Sequence, residues 1–128
     1  MKTQAFVILL RTGQRVPVCI YANEEKGRVR AVALDTATLA LESFNFDSSF
    51  RSIVCFETAE GCRLERDLLM DESYVGTAKV APEDTFDFDT GRTIALRKLT
   101  LKLEKAIYSR RRKLAKELRN MAERLENL

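Results

Sequence analysis

The sequence contains no histidine and no tryptophan among its 128 residues. The absence of histidine excludes Ser-His-Asp and Cys-His catalysis and every metal site that uses imidazole. The apolar run at residues 5–10 is far shorter than the roughly 18 residues that a membrane-spanning helix needs. The Arg-Thr-Gly that follows this run is not a signal-peptide cleavage site. We therefore expect a cytoplasmic protein that has no membrane partner.

Cysteine is also scarce. Cys19, Cys55 and Cys62 are an odd number, and no two of them have the C-x-x-C spacing of a zinc or redox motif. We interpret them as partly buried thiols in a reducing compartment. The sequence shows no paired acid and base, no glycine-rich phosphate loop and no metal-ligand cluster. We expect a protein that is not an enzyme and that uses neither a cofactor nor a metal.

Charge is divided unevenly along the chain. Residues 1–91 carry 10 Lys and Arg against 15 Asp and Glu, whereas residues 92–128 carry 12 against 4. A mildly acidic body is therefore followed by a strongly basic C-terminal segment. Such asymmetry indicates a partner of complementary charge.

The acidic part of the chain has the pattern of short β-strands. Residues 5–10 form a continuous apolar run, which predicts a strand buried on both faces. Residues 15–22 alternate between apolar and other side chains, and Pro17 removes a backbone donor. We therefore expect this second strand to lie at an edge of the sheet.

Further strands follow, and one segment is ambiguous. Residues 28–34 and 74–80 each predict a strand, and residues 52–69 predict a hairpin that turns at Ala59-Glu60-Gly61. Residues 37–43 fit either a short helix or a loop. Three aromatic side chains after that segment are expected in the core. They are Phe44, Phe46 and Phe50.

The predicted fold class is α+β, with residues 1–89 as a β-rich domain and residues 90–128 as one long helix. The β-rich part is expected to be an antiparallel meander or a small barrel whose open edges need covering. At the junction, Asp87, Asp89 or Thr90 is expected to cap the helix. Asp87-x-Asp89-x-Gly91 also begins like a calcium loop, but Lys98 stands where its bidentate glutamate would be.

An apolar stripe runs along the predicted helix. Its members recur at spacings of 11 residues, which makes a helix pair run nearly straight. We expect either a dimeric helix seam or a helix that folds back along its own sheet, with Ile94 and Leu101 broadening the buried surface near the start. The seam residues are predicted to be Leu103, Ile107, Leu114, Leu118, Met121 and Leu125.

A basic face lies opposite this stripe, apart from Arg110, which interrupts it. We predict that this face contacts phosphates or an acidic protein surface, the alternative being an ordinary solvated helix face. The predicted partner-binding residues are Lys98, Lys102, Lys105, Arg110, Arg111, Arg112, Lys113, Lys116 and Arg119.

Residues 109–113, Ser-Arg-Arg-Arg-Lys, precede Leu114, Met121 and Leu128 at intervals of seven. This arrangement resembles the junction between basic region and leucine zipper in bZIP proteins. Lys102 stands where that family has its base-reading asparagine. The resemblance therefore implies phosphate contact without sequence reading.

A second stretch has the pattern G-x-A-x-x-x-P-E-D-x-F-D-x-x-x-G-x-x-I-A, from Gly76 to Ala95. It resembles a stretch that recurs in small proteins encoded by phages and prophages. The resemblance implies an accessory phage gene that acts against host defence, in the host cytoplasm, and it identifies no catalytic residue. Within it, Phe86 and Phe88 are expected to insert against the sheet and fix the angle of the helix.

Two functional hypotheses follow from these patterns. The first is a non-enzymatic binding protein that inhibits or modulates a host protein or ribonucleoprotein machine, similar to anti-CRISPR and other anti-defence proteins. The second is a protein that binds nucleic acid directly through the basic helix. In both cases we expect a homodimer.

Overall fold

The structure, a computed structural model, describes residues 2–43, 59–81 and 83–128, except for the side chains of residues 59–62. It confirms the α+β class, because an antiparallel sheet is followed by one long helix. In chain order the elements are β1 (Lys2–Leu9), β2 (Arg15–Asn23), β3 (Arg28–Ala33), α1 (Leu39–Glu42), α2 (Ala59–Leu68), β4 (Val75–Lys79) and α3 (Phe88–Glu126).

The four strands form an open meander in the order β1-β2-β3-β4, with every neighbouring pair antiparallel. The two alternatives of meander and barrel are thereby resolved in favour of the meander, with β1 and β4 at its edges. The prediction that β2 lies at an edge is wrong. The carbonyl of Pro17 points towards β3 and accepts from Leu34 N–H at 2.9 Å, just past Ala33, the last residue of β3. The N–H that Pro17 lacks would point to the same side, beyond the last β2–β3 residue pair. Pro17 is therefore tolerated inside the sheet because it lies at the end of this pairing.

The prediction that the first strand is buried on both faces is also wrong. Helix α3 covers only one face of the sheet among the described elements. The side chains of the edge strand β1 that point to the other face therefore remain exposed. Val7 is 58% exposed and Leu9 is 68% exposed, whereas Ile8 points inward and is buried. A continuous apolar run therefore did not indicate two covered faces here.

The core lies between α3 and the inner face of the sheet. Leu99, Leu103 and Ile107 of α3 are completely buried, and they share one cluster with the inward side chains of the strands. The strand residues of this cluster are Ile8, Val16, Val18, Ile20, Ala22, Val29, Ala31 and Ala78. Burial of this apolar surface is the main stabilising contribution to the fold.

Two glycines set the distance between helix and sheet. A Cβ atom built on Gly76 of β4 would lie 2.6 Å from the backbone nitrogen of Leu99 and closer still to the carbonyl oxygen of Ala95. A Cβ atom built on Gly91 of α3 would lie 2.6 Å from a methyl group of Val29. Glycine is required at both positions because α3 and the sheet approach each other more closely there than a Cβ atom allows.

The predicted hairpin at residues 52–69 is replaced, over its described part, by helix α2. Its buried residues Leu64 and Leu68 are four apart, which is helical spacing, and Arg63 pairs with Asp67 at 3.2 Å on the same helix. The turn signal of Gly61 is overridden because this apolar spacing packs against α3. The ambiguous segment forms the four-residue helix α1. Residues 44–58, with the predicted core anchors Phe44, Phe46 and Phe50 and the first hairpin arm, lie outside the described residues.

The junction is built as a helix cap. The carboxylate of Asp87 accepts from the backbone N–H of Asp89 at 3.1 Å and from the hydroxyl of Thr90 at 2.7 Å, which confirms the predicted cap. The hydrogen bond from Thr90 lowers the pKa of Asp87. Phe86 and Phe88 pack, partly buried, against the core as expected. Among the described helices, none is long and apolar enough to cross a membrane.

We expect Gly76→Ala to lower the free energy of unfolding by about 1–3 kcal/mol, because the added methyl group forces α3 away from β4. Urea unfolding followed by circular dichroism measures this change. Thr77→Ala is the matched control, since its side chain lies on the opposite face of the same strand. Equal stability of the two variants would contradict the proposed close contact.

Candidate binding site on the C-terminal helix

The nine cations predicted to bind a partner divide into two groups. Five of them contact other parts of the chain, and four form an exposed row. The engaged five are Lys98, Lys102, Arg110, Arg111 and Lys113.

Lys98 and Lys102 protect the β4 edge of the sheet. The ammonium group of Lys98 donates to the carbonyl oxygen of Thr77 at 3.0 Å, and that of Lys102 donates to the carbonyl oxygen of Val75 at 2.6 Å. Both carbonyls belong to an edge strand, whose open hydrogen-bonding groups are a template for unwanted pairing. These two lysines therefore have a structural role that explains their position.

The other three engaged cations hold α1, α2 and the segment before β4 against α3. Arg110 donates to the carbonyl of Leu69 at 3.2 Å and lies 3.8 Å from the carboxylate of Glu72. Arg111 donates to the carbonyl of Ser43, and Lys113 lies 4.0 Å from Asp67. The interruption of the apolar stripe at Arg110 thus marks the place where α3 leaves the sheet and meets these segments.

The remaining four cations form what we call the basic row: Lys105, Arg112, Lys116 and Arg119. All four are exposed. Helical spacing places them within a sector of about 60°, along about 21 Å of the helix axis. No ion pair or side-chain hydrogen bond joins them to any residue that the structure describes.

Apolar side chains accompany the basic row. Ile94 is 39% exposed, Leu101 is 56% exposed, and Tyr108 is 37% exposed. The expectation that Ile94 and Leu101 widen the buried surface is wrong, because the core side of α3 is already filled by residues such as Leu99 and Leu103. The outer face of α3 therefore offers a partner both positive charge and apolar contact area.

The predicted seam residues lie in three environments. Leu103 and Ile107 are buried in the core against the sheet, and Leu114 is buried in a second cluster with Leu41 of α1 and Leu68 of α2. Leu118 is half-buried and packs against this second cluster. Past it, Met121 is half-buried and Leu125 is 70% exposed.

One carboxylate stands out by its burial. Glu104 of α3 is buried, and its Oε2 atom accepts from the backbone N–H of Arg11 at 2.7 Å, which ties the β1–β2 turn to the helix. Within the described part of the chain, no group of three His, Cys, Asp or Glu residues is placed to hold a metal ion. The contact that the structure shows for this buried acid is a structural one.

Sequence reasoning missed a second group of cations, on the uncovered face of the sheet. Arg15 of β2, Arg28 and Arg30 of β3, and Lys79 of β4 all lie on the side opposite α3. The net acidic charge of residues 1–91 concealed them, since the acids of the described residues lie in turns, loops and helices. Alternation along the strands, combined with the strand register, would have found them.

We expect Lys98→Gln combined with Lys102→Gln to promote self-association, because both substitutions weaken the cover of the β4 edge. Light scattering during slow heating measures it, with aggregation beginning at a lower temperature than in the wild type. The matched control is Lys105→Gln with Lys116→Gln, which removes the same charge from the basic row. If both pairs behave alike, the lysines do not act as an edge cover.

No protein-family model, curated protein or solved structure matches this chain.

Proposed function

We propose that the protein is a non-enzymatic binding protein that inhibits or modulates a host nucleoprotein machine, as phage-encoded anti-defence proteins do. The observation that carries this proposal is the basic row. Its four cations are exposed, share one sector of α3, and form no ion pair or side-chain hydrogen bond with the described residues. Folding does not explain them, unlike the lysines that cover β4, whereas an anionic partner surface does.

The geometry of the row suits a phosphate-bearing or carboxylate-bearing surface. Arginine and lysine alternate along it, and arginine pairs with phosphate or carboxylate in a bidentate manner. Exposed Leu101 and Tyr108 beside it add the apolar contact that protein partners use. This combination of cations and exposed apolar side chains favours a protein or ribonucleoprotein surface over bare nucleic acid.

Two further observations support a binding role. The buried acid Glu104 is engaged by Arg11 N–H, and the acid at the helix start, Asp87, is engaged as a cap. The phage-like stretch also has a structural explanation, since its Gly76 and Gly91 permit the close helix–sheet contact. Independently of that structural role, the resemblance of this stretch to phage-encoded proteins supports the proposed origin in phage accessory genes and the proposed role in the host cytoplasm.

The second candidate function is direct nucleic-acid binding through the same row. It is favoured by the spread of four cations over about 21 Å of one helix face. Four phosphate contacts would make the logarithm of affinity fall with the logarithm of salt concentration with a slope of about −3.6.

We expect reversal of the basic row, by changing Lys105, Arg112, Lys116 and Arg119 to Glu, to abolish function without unfolding the chain. Exposed charge changes usually alter stability by under about 1 kcal/mol each. The assay is phage plaque formation on bacteria that carry an active CRISPR defence and express the protein. The wild type should restore plaques and the reversed variant should not.

The control reverses exposed cations that lie neither in the basic row nor on the strands: Lys26, Arg66 and Arg97. Restored plaques with the reversed row would refute the proposal. A different result would favour the second candidate. In that case the wild type binds labelled duplex DNA, its affinity falls steeply with salt concentration, and reversal of the basic row abolishes the binding.

We also propose that the protein is a homodimer through the end of α3. Residues 119–128 are exposed apart from half-buried Met121, so the described residues leave most of the apolar stripe there uncovered. A second copy of the same stripe provides that cover by helix pairing.

We expect Met121→Asp with Leu125→Asp to yield a monomer with an unchanged circular dichroism signal per residue, because neither side chain belongs to the clusters of buried residues. Light scattering after size-exclusion chromatography measures the mass. Ala115→Asp with Ala122→Asp is the control, because both alanines are exposed on another face of α3. A monomeric wild type at high concentration would show that the dimer does not form.

A further inference from the structure

The sheet has one face that no described element covers, which we call the open face. Alternation places one side-chain set on this face in each strand, and the register aligns these sets across the sheet. The set comprises Thr3, Ala5, Val7 and Leu9 of β1, Arg15, Pro17, Cys19, Tyr21 and Asn23 of β2, Arg28, Arg30 and Val32 of β3, and Val75, Thr77 and Lys79 of β4.

The open face carries four cations and no acid within this set. Arg28 stands directly opposite Lys79 across β3 and β4, and Arg30 follows two residues along on the same face. Like charges directly opposite each other destabilise an antiparallel pair. No ion pair offsets this repulsion within the described part of the chain. An anionic ligand would remove the repulsion.

An aromatic ring lies beside these cations. Tyr21 is 38% exposed and stands opposite Arg30 in the register. A surface cleft of about 230 Å³ is lined by Tyr21, Asn23, Arg28, Arg30 and Val32. It therefore combines an exposed ring, a side-chain amide, two guanidinium groups and an apolar floor.

We propose that the open face binds single-stranded nucleic acid, with a base stacked on Tyr21 and the phosphates paired with Arg28, Arg30 and Lys79. Aromatic stacking combined with a positive backbone track is the general chemistry of single-strand binding. The amide of Asn23 can donate to and accept from a base edge.

The single strand fits this face better than two other anions do. A duplex keeps its base faces inside the stack, so it leaves the ring of Tyr21 without a partner. An acidic peptide pairs with the cations but offers no planar ring for Tyr21. A single strand uses the ring, the amide and the guanidinium groups together.

This surface is independent of the basic row. Helix α3 covers the inner face of the sheet, and the basic row points away from that contact. The two positive surfaces therefore lie on opposite sides of the molecule, and either can bind without the other.

The test measures fluorescence anisotropy of a short labelled oligodeoxythymidylate at several salt concentrations. Tyr21→Ala should weaken binding about five- to hundredfold, the range expected for one lost stacking contact. Tyr21→Phe should bind like the wild type, because the ring remains. Arg28→Gln with Arg30→Gln should flatten the salt dependence by about 1.4, at about 0.7 for each lost contact. Arg66→Gln with Arg97→Gln is the matched control and should change nothing, because both arginines are exposed and lie neither on the open face nor in the basic row.

A second measurement does not depend on the folding of Tyr21→Ala. The chain has no tryptophan and three tyrosines, so its intrinsic fluorescence reports tyrosine alone. The oligonucleotide should quench the fluorescence of the wild type and of Tyr108→Phe, and quench that of Tyr21→Phe much less.

Four results would overturn the proposal. They are no binding by the wild type, unchanged binding by a folded Tyr21→Ala, equal or tighter binding of a duplex, and equal competition by a polyglutamate peptide. Arg112→Gln with Arg119→Gln tests the basic row, and loss of binding in this variant but in none of the open-face variants would assign the oligonucleotide to the basic row. That result would refute this inference and leave the proposed function standing.

Discussion

The contact on which the rest of this structure depends is the close approach of α3 to the sheet. Gly76 of β4 and Gly91 of α3 remove the side chains that would hold helix and sheet apart. Because the backbones come so near, Leu99, Leu103 and Ile107 reach the inward side chains of the strands and are completely buried. The same approach brings Lys98 and Lys102 within reach of the β4 edge carbonyls. Packing and edge protection therefore have one common cause.

The cations of α3 gain different roles from their position around the helix. Those beside the sheet, such as Lys98, donate to backbone carbonyls, and those beyond it, such as Arg110, hold neighbouring segments in place. Arg112 and the other members of the basic row point away from both. Net charge alone cannot separate these roles, because each residue contributes the same unit of charge. Among the nine predicted cations, the exposed row is the part that folding leaves unexplained, and it carries the proposed binding function.

A sheet with one covered face leaves a second surface, and here that surface is also positive. Arg28 and Lys79 stand opposite each other on it, beside the exposed ring of Tyr21. With the basic row on the far side of α3, the molecule presents two positive surfaces separated by its core. Two such surfaces suit a protein that acts on a nucleoprotein machine, in which protein and nucleic acid lie close together.

Local periodicity and capping chemistry were enough to predict the α+β class, the strands around Arg28 and Val75, the long helix, and a cap at Asp87, Asp89 or Thr90. The sequence could not place β2 in the interior of the sheet or show that Val7 and Leu9 are exposed, since strand order depends on pairing between distant segments. Helix α2 escaped detection because Gly61 signals a turn locally, while the burial of Leu64 and Leu68 exists only in the folded chain. Only the tertiary structure separated Lys98, which covers an edge, from Arg112, which faces solvent. The physical reason is that a side chain's role depends on what lies opposite it, and contacts between residues far apart in sequence determine that.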